Sequence, residues 1–159
     1  MKRILVILSL SICAFGAAGQ SGSASVEEYV GFLYENMSLA DSVTYPPEYW
    51  AANVREALEA RENAGWEIPE KEFRHFVLPV RVNNESLDDF RTVYGDELRE
   101  KVRGLSGYEA ALEVNHWCHE MATYEPSDAR TSSPMQTIRR GVGRCGEESV
   151  LGVAALRAA

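Results

Sequence analysis

Three glycines in six residues, Gly141, Gly143 and Gly146, frame Cys145 in the closing stretch QTIRRGVGRCGEESVLGVAALRAA. Glycine at this density lets the backbone turn tightly, and the small and apolar residues that follow read as a helix. The chain must therefore deliver a loop straight into a helix start. The order G-x-G-x-x-G is also that of a pyrophosphate-binding turn and of the first half of a phosphate-binding loop. Neither nucleotide reading survives the context. A dinucleotide site needs a buried strand before the glycines and an acid about 20 residues later; PMQTIRR reads as a short helix or turn, and the sequence given reaches only Ala159, too near to supply that acid. A phosphate loop needs Lys and then Ser or Thr after its last glycine, where this chain has Glu147 and Glu148, carboxylates that would repel the anion.

The same residues suit a thiol. Gly141 and Gly143 permit close backbone approach, and Gly146 keeps bulk away from the cysteine. A helix beginning here places Cys145 at its N-terminus, where unpaired N–H groups and the helix dipole favour a thiolate. Arg144 beside it, with Arg139 and Arg140 nearby, acts in the same direction. Glu147 and Glu148 fall in the first turn, where acids stabilise a helix. These features alone leave two readings open, a structural cysteine in a loop or a nucleophile.

Upstream, the chain is punctuated by helix signals. Ser25 with Glu28 has the capping-box spacing and opens a helix to about Met37. YPPEYWAANVREALEARENAG starts with prolines suited to a helix entrance and stops at Gly65. FRHFVLPVRVN has strand-like character broken by Pro79. Two short amphipathic pieces follow, around Leu87–Tyr94 and Glu97–Leu105. Ser106 and Glu109 form a second capping box, whose helix places Ala111, Val114, Cys118 and Met121 on one face. After the polar EPSDARTSS, Ser133 is a natural N-cap with Pro134 at the first helical position. The final helix ends on LRAA without a cap and with nothing downstream for its apolar face, which reads as the front part of a longer protein.

GRCGEES followed by VLGVAALRAA resembles the nucleophile segment of the transglutaminase-like superfamily of cysteine enzymes. The upstream run NHWCHEMATYEPSDARTSSPMQTIRRGVGRCGEES is similar to that of exported bacterial proteins in this group, and GRCGE to the equivalent segment of peptide N-glycanases. The resemblance covers residues 105–159. It implies that Cys145 is the nucleophile, and that a chain already mainly α by its capping boxes and helical periodicity is the N-terminal part of an α+β, papain-like fold with its sheet largely missing. It also implies a His base and an orienting Asp on strands after the cysteine helix, where this sequence has ended. The expected activity is attack on an amide carbonyl through a thiol acyl-enzyme, with hydrolysis favoured over transfer. The substrate class is peptide or glycopeptide, and no cofactor or metal is called for. The alternative is a surface or binding protein that keeps the fold without the chemistry.

The ends and the bulk properties set the remaining bounds. Residues 1–19, MKRILVILSLSICAFGAAG, combine a basic start, a short apolar run and small residues, as in an export signal. A lipoprotein signal acylated at Cys13 is the variant of that reading. Residues 20–25 form a flexible leader, 26–104 a helical region and 105–159 the transglutaminase-like core. The formal net charge is −8, and loss of Lys2 and Arg3 with the signal makes it −10, so a nucleic-acid partner is not expected. The apolar run is too short for a membrane span. HWCHE brings His116, Cys118, His119 and Glu120 together, but lacks the i, i+4 histidine spacing of the strong helical metal motif. Cys118 reads as a small core residue, a Cys118–Cys145 disulfide would consume the nucleophile, and Trp117 with the histidines could line the region around Cys145.

Overall fold

The computed structural model describes residues 25–126 and 130–159; the expected signal, Cys13 and nearly all of the leader lie outside them. The described chain is mainly α, with a single two-stranded contact between extended segments among those residues. Helix α1 (Val26–Asn36) starts where Ser25 accepts the Glu28 N–H at 3.2 Å. Helix α2 (Leu39–Thr44) is capped in the same way by Ser38. Helix α3 (Pro47–Ala64) has proline at its first position and ends on Gly65 at φ 64°. Among the described residues no helix is long and apolar enough to cross a membrane.

The segment expected as a strand is helical in its first half and irregular from Leu78 onward. Glu70–Glu72 (α4) runs into a π-helical turn, Phe73–Val77, closed by the Leu78 N–H to the Phe73 carbonyl at 2.9 Å. The wider turn brings Phe73 and Leu78, five apart, to the core together, while Phe76 stays exposed. The apolar run therefore satisfies its burial without a strand partner. The two expected amphipathic pieces are one helix for most of their length, α5 (Phe90–Val102).

Helix α6 (Gly107–Met121) carries the full reciprocal capping box: Ser106 accepts the Glu109 N–H at 3.3 Å, and Glu109 accepts the Ser106 N–H at 3.0 Å. Its deeply buried face is Ala110, Val114 and Trp117, with Cys118 and Met121 only flanking it. Strand β1 (Thr123–Tyr124), helix α7 (Pro134–Arg140), strand β2 (Val142–Gly143) and helix α8 (Cys145–Ala158) complete the chain. The strands pair in parallel, Thr123 opposite Val142 and Tyr124 opposite Gly143.

Two apolar clusters form. One joins α1 and α3 to the 73–87 segment through Tyr29, Leu33, Trp50, Val54, Phe73 and Leu78. The other joins α5, α6 and α8 through Phe90, Leu98, Val114, Trp117, Leu151 and Ala155. Helix α8 buries Ala155 and Ala158 against upstream helices, so its apolar face is occupied within the described residues. Helix α5 packs on both α3 and α8 and joins the clusters.

Arginines fasten the end of the π-turn and the irregular backbone after it, residues 76–81, between them. Buried Arg91 donates to the carbonyls of Asn53, Leu78 and Val77 at 3.2, 3.1 and 2.8 Å. Arg157, from α8, donates to those of Phe76, Pro79 and Arg81 at 2.6, 3.0 and 3.1 Å. A buried loop must find partners for its polar backbone, and guanidinium groups supply several donors each. Burial, with Arg157 close by, pushes Arg91 down to about 10, which still leaves it a cation at neutral pH.

Candidate active site

Gly141 ends α7 in the left-handed conformation, φ 66°, and its N–H bonds back to Thr137 and Ile138. The pairing with β1 then fixes Val142 and Gly143: the Thr123 N–H donates to the Gly141 carbonyl at 3.0 Å and the Glu125 N–H to that of Gly143 at 2.8 Å. Arg144 is the N-cap, and Cys145 is the first residue of α8. The expected loop-to-helix delivery is therefore present, tightened by a short strand where an irregular loop was expected. Cys145 is exposed, and both it and Cys118 are free thiols.

Gly143 has no room for a side chain. A Cβ there would lie 2.6 Å from Glu147 Cβ and 3.3 Å from Thr137 Cγ2. Gly146 faces the Thr131 side chain, whose Oγ1 would sit 3.3 Å from an added Cβ.

The charges around Cys145 are arranged differently from expectation. The Arg144 guanidinium is turned to Glu147 (Nε to Oε2, 3.3 Å) and to Thr131 Oγ1 (3.3 Å). Arg140 reaches Ser132 Oγ at 3.4 Å. Glu147 is 2 % exposed, not a solvated first-turn acid. Burial alone would raise its carboxyl, but the Ser132 N–H, the helix-start backbone and the Arg144 charge outweigh it and hold the group below the usual glutamate value. Sequence periodicity gave no sign of this burial; Glu at the third position of a helix start was the available clue.

Helices α6 and α8 enclose an open cleft of about 310 Å³, lined by Asn115, Cys118, His119, Ala122, Cys145, Glu148, Ser149, Leu151 and Gly152. The buried Ala122 and Leu151 give this lining apolar surface, and the other residues bring to it an amide, an imidazole, a carboxylate, a hydroxyl and two thiols. Of the candidates on α6, His119 and Cys118 reach this cleft. His116 lies outside its lining, with Nε2 3.4 Å from Glu120 Oε1. Trp117 is turned into the core, donating to Glu97 at 2.7 Å and stacking edge-on near Phe90 and Tyr94. Burial pushes the Cys118 thiol up to about 11, leaving it protonated at neutral pH. Among the described residues no three of His, Cys, Asp and Glu are gathered to share a metal ion.

An exposed thiol on a helix start, at the mouth of a cleft, can attack an electrophilic carbon delivered from solvent. No curated protein and no solved structure gives a significant match to the chain. A family model does: residues 96–159, from the second half of α5 through α8, match the transglutaminase-like superfamily.

Proposed function

We propose that this chain bears the nucleophile of an exported cysteine enzyme that cleaves amide bonds through an acyl-enzyme on Cys145. The observation that carries this reading is the placement of Cys145, exposed at the first position of α8 and facing the cleft shared with α6. In the reaction, Sγ attacks the carbonyl carbon, the C–N bond breaks, and the amine leaves with a proton. Water then opens the thioester and regenerates the thiol. The proton acceptor in this reading is a His oriented by an Asp, as the family resemblance implies, on a segment following α8. Hydrolysis is favoured over transfer because water is the abundant acceptor in an open cleft outside the cytoplasm. The substrates are peptides or glycopeptides, whose amides combine a reactive carbonyl with side chains able to use both the apolar and the polar groups of the lining.

The test is amine release from a panel of peptide and glycopeptide amides by the native protein and by Cys145→Ala. The expected result is release that the substitution abolishes. Saturable binding of the same compounds without release would instead establish a binding protein, and equal release by C145A would remove Cys145 from the mechanism.

A further inference from the structure

The four residues around Cys145 are all held, while Cys145 itself is free. Two positions before it, Gly143 leaves the space that Glu147 Cβ occupies. Next to it, Arg144 spans Glu147 and Thr131, each at 3.3 Å. On the other side, Gly146 closes on Thr131. Two positions after it, the buried Glu147 accepts the Ser132 N–H at 3.0 Å. The loop that receives these contacts is itself tied to the N-terminal helical part. Arg130 donates to the Asn84 carbonyl at 3.0 Å, and the Met135 N–H donates to Asp88 Oδ2 at 2.8 Å.

We propose that Glu147 is a positioning residue for Cys145, its buried carboxylate joining the first turn of α8 to the 131–132 backbone so that the thiol projects into the cleft in one orientation. This rests on the reading of Cys145 as the nucleophile. An acid needed only to complement the helix dipole does its work from solvent, at no desolvation cost. Burial of Glu147 against a backbone N–H and an arginine instead fixes its rotamer, and with it the backbone on either side of the thiol. The same contacts give the N-terminal region a role: it holds, through Asp88 and Asn84, the loop against which the nucleophile is registered.

The experiment compares wild type, Glu147→Ala and Glu147→Gln in the native protein. The readings are the iodoacetamide rate at Cys145, kcat and KM for amide release, and amide hydrogen exchange across residues 130–146. E147A is expected to slow Cys145 labelling and kcat about tenfold with KM little changed, and to raise exchange at 130–146 while the remaining helices keep wild-type protection. E147Q keeps an oxygen for the Ser132 N–H but loses the charge pairing with Arg144, so it should recover part of both. Wild-type labelling and exchange in folded E147A overturn the proposal; if E147A does not fold, wild-type values in E147Q overturn it. Should wild-type Cys145 label no faster than Cys118, the nucleophile reading falls by itself. Exchange then judges the lock alone, and unchanged exchange at 130–146 in the variants sinks it too.

Discussion

Replacing Gly143 with alanine inserts one methyl group at the most crowded point beside the nucleophile. The new Cβ would lie 2.6 Å from Glu147 Cβ, well inside the 3.4 Å at which ordinary contact begins. The opposing atom is the root of a side chain on the first turn of α8, so it moves only if the helix start moves. Thr137 Cγ2 at 3.3 Å blocks retreat on the α7 side. Overpacking of this kind costs about 1–3 kcal/mol, offset by roughly 0.4–1 kcal/mol from the lower entropy of the unfolded alanine chain. The net loss is about 1–2 kcal/mol, which for a domain of this size lowers Tm by roughly 2–8 °C. Gly31, exposed in the middle of α1 with nothing within 4 Å of an added Cβ, is the control. Gly31→Ala should raise stability by about 0.5–1 kcal/mol through helix propensity alone. Thermal unfolding followed at 222 nm reads both. A G143A Tm equal to or above that of G31A would show that the packing between β2 and the start of α8 is not the constraint argued for it.

Other perturbations have signs set by the same geometry. Arg91→Met leaves three interior carbonyls short of a donor, at about 1–3 kcal/mol for each group left unsatisfied; a large drop in the urea midpoint, not rescued by Arg91→Lys, is expected, and a near-neutral R91M would contradict it. Asp41, 5 % exposed, is held below the usual aspartate value chiefly by Arg81, with the Ser38 cap adding to it. A depressed folded value means that its contribution is fully present above the ordinary aspartate range and is lost as pH falls through the folded value. Asp41→Asn should therefore lower the urea midpoint at pH 7 and flatten its fall between pH 5 and 2.5, and an unchanged slope would refute the assignment.

Helix starts and stops were the legible part of this sequence because they are local. Ser25, Ser106 with Glu109, Pro47 and Gly65 each act within a turn of their own position, and each does what its residue type allows. The loop-to-helix delivery at Cys145 was legible for the same reason. What depended on partners distant in sequence was not. Phe73 and Leu78 looked like strand residues because nothing local shows that the core sits on one side of a π-turn. The Trp117 indole looked available to the site until α5 supplied Glu97, Phe90 and Tyr94 as its surroundings. Arg144 and Glu147 read as charges acting on the thiol and on the helix dipole, whereas the 131–132 loop engages them both. Local chemistry thus located the cysteine, and long-range packing decided what its neighbours do.

The central claim is that Cys145 is the reactive thiol, and the two cysteines of the shared cleft allow an internal comparison. Cys118, pushed up to about 11 by burial, is thiolate in only about one molecule in 10⁴ at pH 7. Cys145 is exposed on the first turn of α8 and open to the reagent. Limited treatment of the native folded protein with iodoacetamide at pH 7, followed by peptide mass spectrometry, measures both rates in one sample. The account predicts that Cys145 is alkylated at least about tenfold faster than Cys118. Equal rates, or faster labelling of Cys118, would contradict it.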